Sequence, residues 1–520
     1  MQEFPLTVDK FLDHAAKWFG AREVVSAIAD GLTERTTYEA LRDRANRLSG
    51  ALSGMGVREG TRVATLAWNT IHHLEIYYAV MGMGAVCHTL NPRLTAAQLA
   101  AMIDEAQDVA LAVAEDLMPL AQELVRHCPD LRDVIVLDGA AAPSIGTDLE
   151  ALLARSGQPH PWGQFDERIL AGLCHTSGTT GAPKGVPYTH RSNYLHTLRA
   201  LGADVVGLTA RDSLLLAVPM FHANGWGLPF AAPAVGARLV LPGRNLDGAT
   251  LAGLIRDEEV TVAVGVQTVW LGLLDHLERS GEAVPSLERV LIGGSACPEA
   301  LLRRLEQGLG ARVQTSWGMT ELSPIGTMSP PGQNALPGTA GRPAIGLDLK
   351  LTDEHGRTLP EQRNRQGHLK VRGASVLDRY LGADEDALDA EGYFDTGDLA
   401  MIDDAGNLTI CGRTKDLIKS GGEWINPAEI EAIVGDHPAV RHVAVIGVGH
   451  PKWGERPVMV VERSEAGDHP ELLSALKGKV ADWWIPDRVI DVAAMPLAPT
   501  GKIDKRRLRA DYAAGEPAAA

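Results

Sequence analysis

Five cysteines in 520 residues, Cys87, Cys128, Cys174, Cys297 and Cys411, are too few and too scattered for a disulfide framework. They show no paired metal-ligand spacing, and their odd number suits reduced, mostly buried thiols. Cations are also short: 49 Lys and Arg stand against 66 Asp and Glu, a formal charge of -17. That balance argues against nucleic acid as the main partner, because duplex binding needs many phosphate-neutralising cations. No uninterrupted apolar run reaches the roughly 18 residues of a membrane span. Residues 1–20 lack the charged, apolar and small-residue regions of a secretory signal. A cytoplasmic protein without a transmembrane segment is expected, and any anionic ligand must be captured by local donors.

What is present is a globular composition, 45% hydrophobic and 22% charged, in a chain long enough for several domains. One stretch stands out. Thr176, Ser177, Gly178, Thr179, Thr180, Gly181, Pro183 and Lys184 gather four hydroxyls, two glycines and an ammonium into nine residues. Glycines allow backbone amides to approach an anion unobstructed, and the hydroxyls and lysine complete a phosphate cradle. It is not a Walker A loop, because Pro183 precedes the lysine and Gly185 follows it. Apolar residues 169–173 predict a strand before it, and a helix is predicted after Thr189.

Apolar, β-branched runs at 62–67, 134–137, 214–218, 238–241, 260–264 and 290–292 predict strands. Helical periodicity at 8–19, 37–55, 96–105 and 298–309 alternates with them. The expected fold class is α/β, with layered, largely parallel sheets. Beyond about residue 340 glycines and charges increase, and short strands at 367–371 and 408–410 suggest a smaller antiparallel region. Residues 412–422 are polar and glycine-flanked, as a hinge would be. Asn426, Pro427 and Glu429 then read as cap, first-turn proline and capping-box glutamate of a new helix.

Three further segments carry chemistry. In residues 314–322, Ser316, Trp317, Gly318, Met319, Thr320 and Glu321 join an aromatic plane to a hydroxyl and a carboxylate; Trp317 suits either a base platform or a core position. Tyr393, Phe394, Asp395, Thr396, Gly397 and Asp398 suit either a capped turn or a loop whose aspartate accepts from a ribose diol. Residues 412–424 crowd cations and glycines and also suit a solvated charge run. Near the end, Lys502 follows Thr500 and Gly501 on a turn.

Together, the phosphate loop, Trp-Gly-Met-Thr-Glu at 317–321, Tyr-Phe-Asp-Thr-Gly-Asp at 393–398, Gly-Arg-Thr-Lys-Asp at 412–416 and Thr-Gly-Lys at 500–502 resemble the adenylate-forming, AMP-binding acyl-activating enzymes, over nearly the whole chain. Lys419, Ser420, Gly421, Gly422, Glu423 and Trp424, and the run from Val218 to Trp226, most resemble the medium- and long-chain fatty acyl-CoA synthetase branch. The resemblance implies a large N-terminal domain, residues 1–412, of two α/β layered subdomains and a small β-barrel-like one. A hinge at 413–422, a small mobile α+β domain at 423–512 and a disordered tail at 513–520 would follow. It also implies two half-reactions: a carboxylic acid attacks magnesium ATP to give an acyl adenylate and pyrophosphate, and the thiol of coenzyme A then displaces AMP.

By the same resemblance, Thr176 to Gly181 and Lys184 hold the β- and γ-phosphates, Thr320 meets the α-phosphate, and Thr176 and Glu321 bind Mg2+. Gly293, Gly294, Ser295 and Trp317 border adenine, while Asp398 and Arg413 bind ribose. Ser316, Gly318 and Met319 complete the nucleotide site. Lys502 bridges carboxylate and phosphate, and with Glu321 and Lys184 is expected to be catalytic. Lys415 is the hinge residue, and Lys419, Gly421, Gly422, Glu423 and Trp424 line the coenzyme A approach. Phe221, His222, Asn224, Gly225, Trp226, Val266 and Gln267 line the acid pocket, with Trp226 as a gate. Gln267 departs from the proline usual there. Medium-chain, long-chain, thioether or arylalkanoic acids all fit these residues. An amino-acid adenylating enzyme serving a carrier protein is disfavoured because residues 220–230 hold no carboxylate. A luciferase-like oxygenase is disfavoured by the Gly-Gly-Glu-Trp segment. A non-catalytic nucleotide-binding protein is disfavoured by the presence of Lys184, Glu321, Asp398 and Lys502. Homodimerisation is a family-based expectation.

Overall fold

The computed structural model describes residues 2–28, 31–139, 143–156, 158–176, 183–295, 297–421, 423–463, 472–498 and 501–512. The expected site residues Ser177, Gly178, Thr179, Thr180, Gly181 and Gly422, and the 513–520 tail, lie outside them.

Among the described residues, two large sheets organise the first 340 residues. A seven-stranded sheet runs in the order Thr147–Asp148, Asp133–Val136, Ala110–Val113, Arg62–Leu66, Val86–Thr89, Leu170–His175, Gly185–Thr189, with only the last pair antiparallel. A nine-stranded sheet has parallel neighbours Arg312–Gly318, Arg289–Gly293, Val262–Val266, Ser213–Leu216 and Arg238–Leu241 through its centre. Successive strand residues face opposite sides, and the cores follow that alternation. Leu214 and Leu216 join one apolar cluster and Leu215 another. Ala110 and Ala112 share that first cluster, while Leu111 and Val113 face a third. The two sheets therefore share a central core, filled by helices such as Ile71–Gly82, every residue of which is buried except His72. Thr37, Thr70, Thr95 and Thr189 cap helices by accepting a backbone N–H, which fixes where each helix begins.

The antiparallel region expected beyond residue 340 is a four-stranded sheet in the order Leu347–Thr352, Gln366–Gly373, Phe394–Ile402, Leu408–Arg413. After it, Thr414–Asp416 forms a single 3-10 turn, and Ile418–Ser420 already pairs into the last sheet. There the long antiparallel pair Val440–His450 and Gly454–Arg463 carries the helix Pro427–Gly435. Asn426 caps that helix as its sequence predicts, accepting from the Ala428 N–H and donating to Glu429.

The strand before the phosphate loop and the helix after Thr189 stand where the sequence predicts them, and one unpredicted strand lies between them. The phosphate loop joins two strands, Leu170–His175 and Gly185–Thr189, and the helix His190–Ala200 follows directly after Thr189. Val186 and Tyr188 turn into the core while Pro187 and Thr189 do not, the alternation of a strand.

Candidate active site

The carboxyl ends of the parallel strands converge on one cleft, the place where open α/β sheets bind ligands. His175 ends one strand, Val266, Gly293 and Gly318 end three others, and all four line a cleft of about 2820 Å³. Its far wall is the C-terminal region, including Lys502. Gly501, at φ 81°, turns the chain so that the Ala498 N–H donates to the Lys502 carbonyl at 2.7 Å. The Lys502 side chain then reaches Gly294, its Cε lying 3.4 Å from where a Cβ on that glycine would sit. Desolvation within the cleft and the nearby Arg413 push its ammonium down to about 8, although Lys502 itself stays exposed to the cleft, with Asp398 partly opposing the shift.

The base of the phosphate loop is closed by two bonds. The Thr176 N–H donates to the Lys184 carbonyl at 3.0 Å, and the Lys184 N–H donates to Thr176 Oγ1 at 3.3 Å. Lys184 Nζ lies 4.7 Å from the centre of the Tyr380 ring, whose hydroxyl donates to Glu321 Oε1 at 2.9 Å. Burial raises the Glu321 pKa, while Tyr380, Arg413 and Lys184 oppose the rise. Tyr188 holds the same segment from below, donating to the Thr320 carbonyl at 2.7 Å.

Asp398 is buried and engaged on both oxygens: Trp317 Nε1 donates to Oδ2 at 2.9 Å, and Arg413 Nε meets Oδ1 at 2.8 Å. Burial raises its pKa, and Arg413 and Trp317 draw it back. Ser316 donates to the Ile292 carbonyl beneath Gly293, and a Cβ on Gly293 would stand 2.8 Å from Trp226, so this glycine lies between the Ser316 and Trp226 walls of the cleft. Ser295 donates to Gln267 Oε1 at 3.0 Å, giving the departing side chain a partner.

The structure thus brings Thr176, Lys184, Phe221, His222, Trp226, Val266, Gln267, Gly293, Gly294, Ser295, Ser316, Trp317, Gly318, Met319, Thr320, Glu321, Asp398, Arg413, Lys415 and Lys502 to one cleft. Asn224 and Gly225 stand behind its wall: Asn224 accepts from Thr89 Oγ1, and the Gly225 N–H donates to the Pro219 carbonyl. They shape a left-handed backbone run, φ 41° to 72° from Ala223 to Gly227, that presents Trp226. His222 is pushed down to about 4 by burial and by Lys502. Lys419, Gly421, Glu423 and Trp424 are elsewhere, on a hairpin where Trp453 packs against Gly421. Sequence reasoning missed Tyr380 and Tyr188, whose contacts join distant segments, and the chain Asp108–His88–His175–Glu105, linked at 2.6, 3.0 and 3.0 Å and ending in the cleft.

Residues 11–381 match the AMP-binding enzyme family, and residues 429–502 match the AMP-binding enzyme C-terminal domain. The chain belongs to the AMP-binding enzyme family. It is 42% identical to a 3-methylmercaptopropionyl-CoA ligase of Ruegeria lacuscaerulensis, covering 98% of both chains. It is also 42% identical to a medium-chain-fatty-acid–CoA ligase of Ectopseudomonas oleovorans, over 98% of this chain and 97% of that one. Among solved structures it resembles ATP-bound MatB from Rhodopseudomonas palustris, with TM-score 0.86, 26% identity and coverage of 98% and 99%. Among the described residues no helix is long and apolar enough to cross a membrane.

Proposed function

We propose that this member of the AMP-binding enzyme family is an ATP-dependent acid–thiol ligase that converts a medium- or long-chain fatty, thioether or arylalkanoic acid to its acyl-CoA through an acyl adenylate. The observation that carries the reading is the approach of Lys502 to Gly294 in a cleft that also holds Lys184, Thr320, Glu321, Asp398 and Arg413. Acid and ATP are both anionic, so the first step needs cations fixed around the phosphates before the nucleophile can align. Lys184 stands at the base of the phosphate loop, and Lys502 enters from the opposite wall to orient the acid carboxylate against the α-phosphate. Asp398 accepts from the ribose hydroxyls, Arg413 holds Asp398, and Trp317 carries the adenine.

The cleft's oxygen donors suit Mg2+: Glu321 supplies a carboxylate and Thr176 a hydroxyl, with nucleotide phosphates completing the set. Bound there, the ion would neutralise phosphate charge. The acid lies along Phe221, His222, Trp226 and Val266, a wall without a carboxylate for an amino-acid ammonium. The hairpin of Lys419, Gly421, Glu423 and Trp424 serves coenzyme A only after the domain beyond residue 412 turns about Lys415, so the two half-reactions use different faces of that domain. We place the reaction in the cytoplasm, where five free cysteines are stable.

A panel of carboxylic acids with ATP, Mg2+ and coenzyme A, scored for thioester, tests the activity. Lys502→Ala tests the mechanism. It is expected to abolish adenylate formation while largely sparing thioester formation from supplied acyl adenylate; equal loss in both would refute the role.

A further inference from the structure

The proposed nucleotide site gives Trp317 a second contact that base stacking does not explain. Its ring packs on Gly326 of the neighbouring strand: a Cβ there would fall 2.6 Å from the ring carbons, so only glycine leaves room for the indole. From that position Nε1 donates to Asp398 Oδ2 at 2.9 Å, in surroundings where Trp317 is 7% and Asp398 2% exposed. Arg413 holds the other oxygen from the neighbouring strand, in register with Asp398. Trp317 belongs to the nine-stranded sheet and Asp398 and Arg413 to the four-stranded one, so the indole N–H ties two sheets together at the carboxylate.

A carboxylate that receives a ribose diol must present lone pairs in fixed directions. Rotation about its Cβ–Cγ bond would spoil both bonds at once. Two anchors, one on each oxygen, stop that rotation and leave the remaining lone pairs for a ligand in the cleft.

We propose that Trp317 is a positioning residue for ribose recognition, its indole N–H aiming the Asp398 carboxylate at the 2′- and 3′-hydroxyls of ATP. This inference rests on the reading of Asp398 as the ribose acceptor. Trp317 thereby couples the two halves of nucleoside recognition, since the ring that meets the base also orients the group that meets the sugar.

The test compares ATP with 2′-deoxyATP and 3′-deoxyATP in acid-dependent ATP–pyrophosphate exchange, for the wild type, Trp317→Phe and a protein carrying 3-benzothienylalanine at position 317. The last residue is nearly isosteric with tryptophan and lacks only the N–H, so it isolates the hydrogen bond if the phenylalanine variant folds poorly. The expected result is a rise of about tenfold in KM for ATP, a smaller rise for the deoxynucleotides and an almost unchanged kcat, so that ribose discrimination shrinks. In an Asp398→Asn background the same replacements should add no further loss of discrimination. Equal KM increases for all three nucleotides would reduce Trp317 to a stacking platform and overturn the proposal, as would unchanged KM values. A wild type indifferent to the deoxynucleotides would instead remove the ribose role from Asp398, and the Trp317 proposal with it.

Discussion

Lys502 enters the cleft as a cation near Arg413 and Lys415, with Asp398 and Glu321 as counterweights. Desolvation in the cleft and the neighbouring cations favour its neutral form, which pushes its pKa down to about 8 from the ordinary 10.5. The sign follows from the role proposed for Lys502: adenylation would use the ammonium, which is dominant at pH 7 and disappears as pH rises. Pyrophosphate exchange is therefore expected to decline through about pH 8, while thioester formation from supplied adenylate lacks that limb. A plateau reaching about pH 10 would mean an ordinary lysine. At this scale the sequence was readable wherever chemistry is written contiguously. Thr176, Lys184, Thr320, Glu321 and Asp398 are each embedded in a motif. Tyr380 was not readable: its hydroxyl serves Glu321 from 59 residues away, and nothing in its own neighbours marks that contact.

Among elements, the strands were legible from their apolar, β-branched runs and the helices from their periodicity, because both signals are local. The join after the phosphate loop was not: Gly185–Thr189 is a short, mixed strand that only its antiparallel partner defines. The same dependence on partners hid the buried hydrogen-bonded chain beneath the loop. His88, from one strand, meets Asp108 on one side and His175, the last residue of the neighbouring strand, on the other. Asp108 and His88 have no solvent access, and His175 is pushed down to about 3 by burial and by His88. It stays neutral at working pH and joins the pair to Glu105. Asp108→Ala would leave a buried imidazole N–H without its acceptor. A loss of about 2 kcal/mol is expected, read as a lowered thermal midpoint, with ATP affinity weakened because Thr176 follows His175 directly.

For the molecule as a whole, contacts across the cleft hold the C-terminal region with Lys502 facing it. Arg441 Nη2 meets Asp275 Oδ2 at 3.0 Å, Arg304 holds the other Asp275 oxygen at 2.8 Å, and the Ala300 N–H donates to Asp436 at 3.2 Å. Arg441 and Asp275 are 44% and 29% exposed, so their pairing contributes about 1 kcal/mol at most. That is enough to bias two arrangements of similar energy. Arg441→Ala is expected to slow adenylation by up to about fivefold while leaving thioester formation from supplied adenylate unchanged, and added salt should mimic it in the wild type. Equal effects on both steps would argue against a latch.

The separation of Lys502 from the hairpin of Gly421 and Trp424 also sets a clock. In the proposed cycle one domain cannot present both faces to the cleft at once, so the acyl adenylate, a mixed anhydride that water destroys, would have to outlive the rotation that uncovers it. How firmly the cleft grips the intermediate during that interval decides what share of each ATP ends as thioester and what share is spent on hydrolysis.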